Sequence, residues 1–127
     1  MISTIFTPGI TVYKDSKYNV LNKPYKCNVL SAAMCKLRPY EEFNDEYVAL
    51  AKKKIEHLLR TALHFEQRKL VLGAWGCGAY NCPADKIAKI FKFVLNTPEF
   101  NNQFEEICFA ILDWQGKNYQ AFSKVFK

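Results

Sequence analysis

Residues 70–83 read Leu-Val-Leu-Gly-Ala-Trp-Gly-Cys-Gly-Ala-Tyr-Asn-Cys-Pro. Gly73, Gly76 and Gly78, three of the five glycines in the chain, fall here between an apolar β-type run and a helical pattern that begins near Pro83. A strand that breaks into a glycine-rich turn and feeds a helix is a common way to hold a phosphate. Glycine permits φ > 0 and close approach of the backbone to a ligand. The first N–H groups of the helix that follows have no internal partner and attract an anion. The same glycines would also serve a plain strand-to-helix turn, so the loop needs support from the rest of the chain.

Outward from the loop, the pattern alternates. Lys69–Gly73 is a short strand whose continuous Leu-Val-Leu predicts cover on both faces. Pro83–Leu95 predicts a helix, with Ile87, Ile90, Phe91, Val94 and Leu95 on one stripe and Lys86, Lys89 and Lys92 outside it. Pro83 suits the first turn, Asp85 complements the helix dipole, and Thr97-Pro98 ends the element. Upstream, Val48, Ala51, Ile55, Leu58, Leu59, Ala62 and Leu63 follow the 3–4 spacing of one buried face. They predict a long helix capped by Asn44 or Asp45 and running to about Glu66. His57 and His64 fall on its charged side and are expected to be exposed. Ile10–Tyr13 and Tyr25–Ala33 read as strands, with Asp15–Pro24 as a polar hairpin or loop. Phe104–Leu112 is a further strand and Asn118–Phe126 a last amphipathic helix. The order β-β-α-β-α-β-α predicts an α/β layered domain with a largely parallel sheet. In such sheets ligands bind beyond the carboxyl ends of the strands, where the turn after Leu72 lies and where Asp113 closes the next strand.

Composition bounds the function classes. The 127 residues suit one domain, and half of them are apolar, so a core can form without disulfides or metals. No apolar run approaches the roughly 18 residues of a membrane span, and the N-terminus lacks a basic secretory leader. Both point to a cytoplasmic or nuclear protein with no membrane partner. The formal charge of +6 favours anionic partners, but the lysines form no continuous stripe interleaved with aromatics, which argues against direct nucleic-acid binding. The five cysteines have irregular spacing, with no C-x-x-C and no histidine at ligand distance, so no metal or cofactor is implied. They read as free thiols of a reducing compartment. Cys77 and Cys82 flank the glycine turn near a helix N-terminus, where a thiolate is favoured, although the glycines set the purpose of the loop.

The stretch Leu72-Gly-Ala-Trp-Gly-Cys-Gly-Ala-Tyr-Asn-Cys-Pro83 resembles the second phosphate-binding loop of macrodomains, in the form carried by microbial-type poly(ADP-ribose) glycohydrolases. Two further stretches match that family in order. Phe6-Thr-Pro-Gly-Ile-Thr-Val-Tyr-Lys-Asp15 is similar to its Tyr-Thr/Ser-Pro-x-Val-x-Val-Phe-Arg-Asp segment. Phe104-Glu-Glu-Ile-Cys-Phe-Ala-Ile-Leu-Asp113 is similar to the strand that closes with Phe-Ala-Val-Leu-Asp.

The resemblance implies a macrodomain-like three-layer α/β/α sandwich with a mixed, largely parallel sheet. It also implies an ADP-ribose site. Gly73, Ala74, Gly76, Cys77, Gly78, Ala79, Tyr80 and Asn81 would surround the diphosphate, with Gly76–Tyr80 donating N–H groups and Gly73 and Gly78 leaving room. Tyr80 would lie beside the ribose nearest the cleaved bond. The partner would be ADP-ribose or an ADP-ribosylated protein. The family's upstream Gly-Gly-Gly…Gln-Glu-Glu loop, whose glutamate supplies the acid, has no counterpart in residues 1–127. Glu41-Glu42 imitates it only faintly and reads as a solvated approach to a helix. The expectation is therefore one macrodomain-like domain over 1–127, N-terminally truncated, without catalytic residues of its own. Three readings follow: a module that recognises ADP-ribose, a glycohydrolase completed by a missing segment or partner chain, and a non-binding remnant. Loss of the first elements would uncover a sheet edge and an apolar face, which favours homo-oligomers or a completing chain.

Overall fold

The buried stripes of two helices position everything else. The structure, a computed structural model, describes every residue except Trp114 and Gln115. Seven elements follow in the expected order: β1 (Ile5–Lys14), β2 (Val20–Ser31), α1 (Asp45–His64), β3 (Lys69–Leu72), α2 (Ala84–Leu95), β4 (Glu106–Phe109) and α3 (Lys117–Phe126). The Asn44 side chain accepts from the Tyr47 N–H at 3.1 Å and starts α1. Helix α1 then turns Ala51, Ile55, Leu58, Leu59 and Ala62 inward, and α2 turns in Ile87, Ala88, Ile90, Phe91 and Val94. An aromatic cluster ties the C-terminal elements together: Phe109 of β4 lies 5.3 Å from Phe91, 5.0 Å from Phe122 and 4.7 Å from Phe126, centroid to centroid.

The strands form two separate two-stranded sheets, a parallel β3–β4 pair and an antiparallel β1–β2 hairpin. Leu70 and Leu72, with their β4 partners Ile107 and Phe109, share the face that meets the core. All three helices contribute to that one core. The opposite face, with Lys69, Val71, Glu106 and Cys108, is open, and Val71 is 76% exposed. The expectation that β3 is covered on both faces is thus corrected: the helical layer lies on the Leu70 side.

The hairpin is longer than the short alternating runs suggested. Strand β2 begins at Val20 rather than Tyr25, so Asn22 and Pro24 stand inside a strand and not in a loop. Proline is tolerated there because β2 pairs on one side only. Asp15 makes the turn by accepting from the N–H groups of Lys17 and Asn19 at 2.8 and 2.9 Å. Those bonds hold its carboxyl below the usual range. The hairpin joins the body through a Phe6–Phe65 stack at 4.2 Å and an Asn28–Gln67 side-chain bond at 3.0 Å. His57 departs from expectation as well. It is half-buried and bonded to Thr4 Oγ1 at 3.0 Å, whereas His64 is exposed.

Phe91 is fully buried, so Phe91→Ala is expected to lower the free energy of unfolding by about 3–5 kcal/mol in urea titrations. Val71→Ala, on the open face, is expected to stay within about 0.5 kcal/mol of the parent chain.

Candidate functional site

After Leu72 the chain leaves the sheet and makes a series of tight turns before α2. Trp75 N donates to Gly73 O at 2.9 Å, Cys77 N to Ala74 O at 3.0 Å, Asn81 N to Gly78 O at 3.0 Å and Cys82 N to Gly76 O at 2.9 Å. These bonds use the amides of Trp75, Cys77, Asn81 and Cys82. Those of Gly76, Gly78, Ala79 and Tyr80 find no acceptor among the described residues. Helix α2 adds its own unpaired first turn, since Pro83 stands at the N-cap without a side-chain bond. Its dipole there is positive.

Of the three glycines, only Gly76 takes a left-handed conformation, at φ +81°. The other left-handed residue of the loop is Asn81, at φ 59°. A Cβ on Gly76 would stand 2.6 Å from Met34 Cγ and 3.3 Å from Cys82 Sγ, so this position is closed to any side chain. A Cβ on Gly78 would meet nothing within 4 Å. Gly76 is thus required by packing, whereas Gly78 faces open space.

The segment after β2, on which the sequence analysis is silent, forms the other wall. Met34, Cys35 and Leu37 are buried. Leu37 N donates to Tyr80 O at 2.9 Å, and the Cys82 thiol donates to Cys35 O at 3.1 Å. From the far side, Asn118 Nδ2 of α3 donates to Cys77 O at 3.4 Å. The apolar spacing Met34-Cys35-x-Leu37 was the available signal for this wall, and it is too short to mark an element.

Between wall and loop lies a cavity of ≈ 250 Å³ lined by Ala32, Ala33, Met34, Trp75, Gly76, Gly78, Ala79 and Tyr80. Four of the eight predicted site residues meet here. Gly73 and Ala74 instead border a neighbouring groove, Cys77 is turned inward, and Asn81 forms the exit turn. Trp75, absent from the prediction, borders both cavities. The lining holds no carboxylate, imidazole or thiol, so its chemistry is that of main-chain donors beside the half-exposed Tyr80 ring.

The two cysteines beside the loop are not activated. Burial, then the charges of Asp85 and Asp113, push the Cys77 thiol up to about 12, and burial with the neighbouring Cys35 pushes Cys82 up to about 12. The thiolate favoured on sequence grounds is overturned, because desolvation outweighs the helix N-terminus. Asp113 accepts from the N–H groups of Asn118 and Tyr119 at 3.3 and 3.2 Å and so fastens the start of α3. Glu41 is committed elsewhere, accepting from the Tyr47 hydroxyl at 2.6 Å and from Arg38 N at 3.1 Å. Those bonds hold its carboxyl below the usual range, the wrong direction for a general acid. Among the described residues, no cluster of three His, Cys, Asp or Glu could hold a metal ion, and no helix is long and apolar enough to cross a membrane.

No protein-family model matches the chain, and no curated protein matches it. Solved structures do. The structure of poly(ADP-ribose) glycohydrolase from Deinococcus radiodurans in complex with ADP-ribose is 26% identical, with a TM-score of 0.87 over 96% of this chain and 51% of that one. The enzyme from Thermomonospora curvata is 27% identical, with a TM-score of 0.89 over 97% of this chain and 47% of that one. The apo form of the Deinococcus enzyme gives 26% and 0.83 over 96% and 52%. The chain therefore spans about half the length of the enzymes it matches.

Gly76→Ala is expected to cost at least about 1–2 kcal/mol of stability through left-handed strain and the Met34 clash, and Gly78→Ala less than about 0.5 kcal/mol, by chemical denaturation. A second expectation concerns pH. The unfolded chain releases the Cys77 and Cys82 protons near 9.0, while the folded chain holds them to about 12. Folding stability should therefore decline as pH rises from about 9 towards 12, and Cys77→Ser should reduce that slope.

Proposed function

On the framework of the microbial-type poly(ADP-ribose) glycohydrolase fold, of which this chain matches a C-terminal portion, we propose that the chain recognises ADP-ribose, free or carried on a modified protein. The observation that supports this most is the set of unpaired N–H groups of Gly76, Gly78, Ala79 and Tyr80 lining one cavity. Gly76 is half-buried while Gly78, Ala79 and Tyr80 are exposed, so their N–H groups are open to a ligand. Several left free on one turn, next to a helix N-terminus, form an anion-binding concavity. The diphosphate is the part of ADP-ribose that such donors fit. In this reading Gly73, Ala74, Cys77 and Asn81 shape the loop, Gly78 leaves the opening, and Tyr80 packs against the adjoining ribose.

The volume agrees with a partial site. At ≈ 250 Å³ the cavity falls just below the roughly 300–1,000 Å³ of pockets that enclose a whole small molecule. It can seat a diphosphate, with the nucleoside held by walls beyond it. We read the chain as a binding element without an acid of its own, since Glu41 is spent on Tyr47 and Arg38. Hydrolysis, in this reading, needs a carboxyl group supplied from outside these residues.

The test is a thermal melt with ADP-ribose, using AMP and ribose 5-phosphate as controls. At a hundredfold excess over the dissociation constant, ADP-ribose should stabilise the chain by about 2.7 kcal/mol. Gly78→Glu should melt at the parent temperature without ligand, because a side chain there meets open space, and should lose the ligand-induced shift. An equal shift in Gly78→Glu would remove the loop from the site. Equal shifts with all three ligands would remove ADP-ribose specificity.

A further inference from the structure

A trans peptide unit is planar, so its C=O and N–H point in opposite directions. Whatever grips a carbonyl of the glycine loop therefore aims the N–H of the next residue the other way. Three of the four unpaired donors follow a carbonyl gripped in this manner. Ahead of the Gly76 N–H, Trp75 O accepts from the Cys77 thiol at 3.6 Å. Ahead of the Ala79 N–H, Gly78 O accepts from Asn81 N at 3.0 Å. Ahead of the Gly78 N–H, Cys77 O accepts from Asn118 Nδ2 at 3.4 Å. The first two grips are local to the loop, whereas the third reaches it from α3, 41 residues away in sequence.

The peptide that Asn118 holds is the one most in need of a grip. Gly78 has no side chain to restrain its backbone, and a Cβ there would meet nothing within 4 Å, so neighbouring packing does not restrain it either. Asn118 itself is firmly seated. Its own N–H is tied to Asp113 Oδ2 at 3.3 Å, with the Tyr119 N–H on Oδ1 at 3.2 Å. One helical turn further on, Phe122 is buried beside Phe91 of α2, with ring centroids 6.2 Å apart. The half-buried Asn118 side chain thus extends from a helix anchored on both sides of it. The cavity beside the loop counts Gly78 in its lining and no residue of α3. A Gly78 N–H turned away from α3 is turned toward that cavity.

Resting on the ADP-ribose reading above, we propose that Asn118 is a positioning residue for the diphosphate. It makes no contact with the ligand. By holding Cys77 O it keeps the Cys77–Gly78 peptide in the one orientation that presents the Gly78 N–H to the anion. Without that bond the peptide rotates about the glycine, and the donor is misdirected while the fold around it stays in place.

The test compares the parent chain with Asn118→Leu, which keeps much of the side chain's bulk but removes the donor, and with Asn118→Ala, which removes both. Each is measured by proton–nitrogen correlation spectra without ligand and by calorimetric titration with ADP-ribose. An amide nitrogen is conjugated with the carbonyl beside it, so its resonance responds when that carbonyl loses a hydrogen bond. The expected result without ligand is a displaced Gly78 nitrogen resonance in both variants, with the amides of β1 and β2 unmoved. With ligand, affinity should fall about tenfold or more, the effect of losing a well-aimed donor to a charged group. A loss of packing alone would lower the melting temperature without that local signature. Parent-like affinity in the variants overturns the proposal. So does a Gly78 resonance that stays in place, because the peptide is then held by something else. Should Asn118→Leu not fold, Asn118→Ala carries the same two readouts. A parent chain that binds no ADP-ribose removes the reading on which the ligand rests, and the spectra without ligand still decide whether Asn118 holds the peptide.

Discussion

A missing side chain at Gly76 is the constraint on which the glycine loop depends. Met34 occupies the space a Cβ would need, at 2.6 Å, and the Cys82 thiol closes it from the other side at 3.3 Å. That contact draws the segment after β2 against the turn after β3. Two hydrogen bonds then fix the pair, from Leu37 N to Tyr80 O and from the Cys82 thiol to Cys35 O. With the loop pinned from below, its amides cannot relax into a regular helix or ladder. Their freedom is therefore a result of tertiary packing and not of local flexibility.

Much of this architecture could be read from residue pattern. The seven elements and their order were legible because α1 and α2 carry unbroken 3–4 apolar spacing and because Asn44, Pro83 and the Thr97-Pro98 pair punctuate them. The glycine loop was legible through its crowding of glycines after a strand. Other features depended on what lies across space. Leu-Val-Leu in β3 looks doubly covered in sequence, yet nothing in the pattern says which layers are present, and Val71 proves open. Asn22 and Pro24 carry turn chemistry but stand in β2, because pairing with β1 overrides local preference. The state of Cys77 turned on burial against the loop, which spacing from a helix N-terminus cannot report.

Cohesion is uneven across the molecule. The β3-α2-β4-α3 portion shares the aromatic cluster of Phe91, Phe109, Phe122 and Phe126, and α1 joins it through Ile55 and Leu59. The hairpin hangs on fewer attachments: the Phe6–Phe65 stack, the Thr4–His57 and Asn28–Gln67 bonds, and Leu30 packed against the core. Regions with few buried contacts open at lower free energy than a shared core. The hairpin is therefore expected to open at lower free energy than the shared helical core.

The donors of the loop belong to the main chain, and this has a bearing on how the sequence can drift. Every residue except proline brings the same N–H, so exchanges at Ala79 or Tyr80 leave the donor set in place. Selection acting on such a loop sees its path, held by Gly76 against Met34, far more than its letters. Backbone shape can then persist while identity falls to about a quarter, as the 26% identity at a TM-score of 0.87 illustrates. Lineages built on this device should be easier to follow in three dimensions than in alphabets of residues.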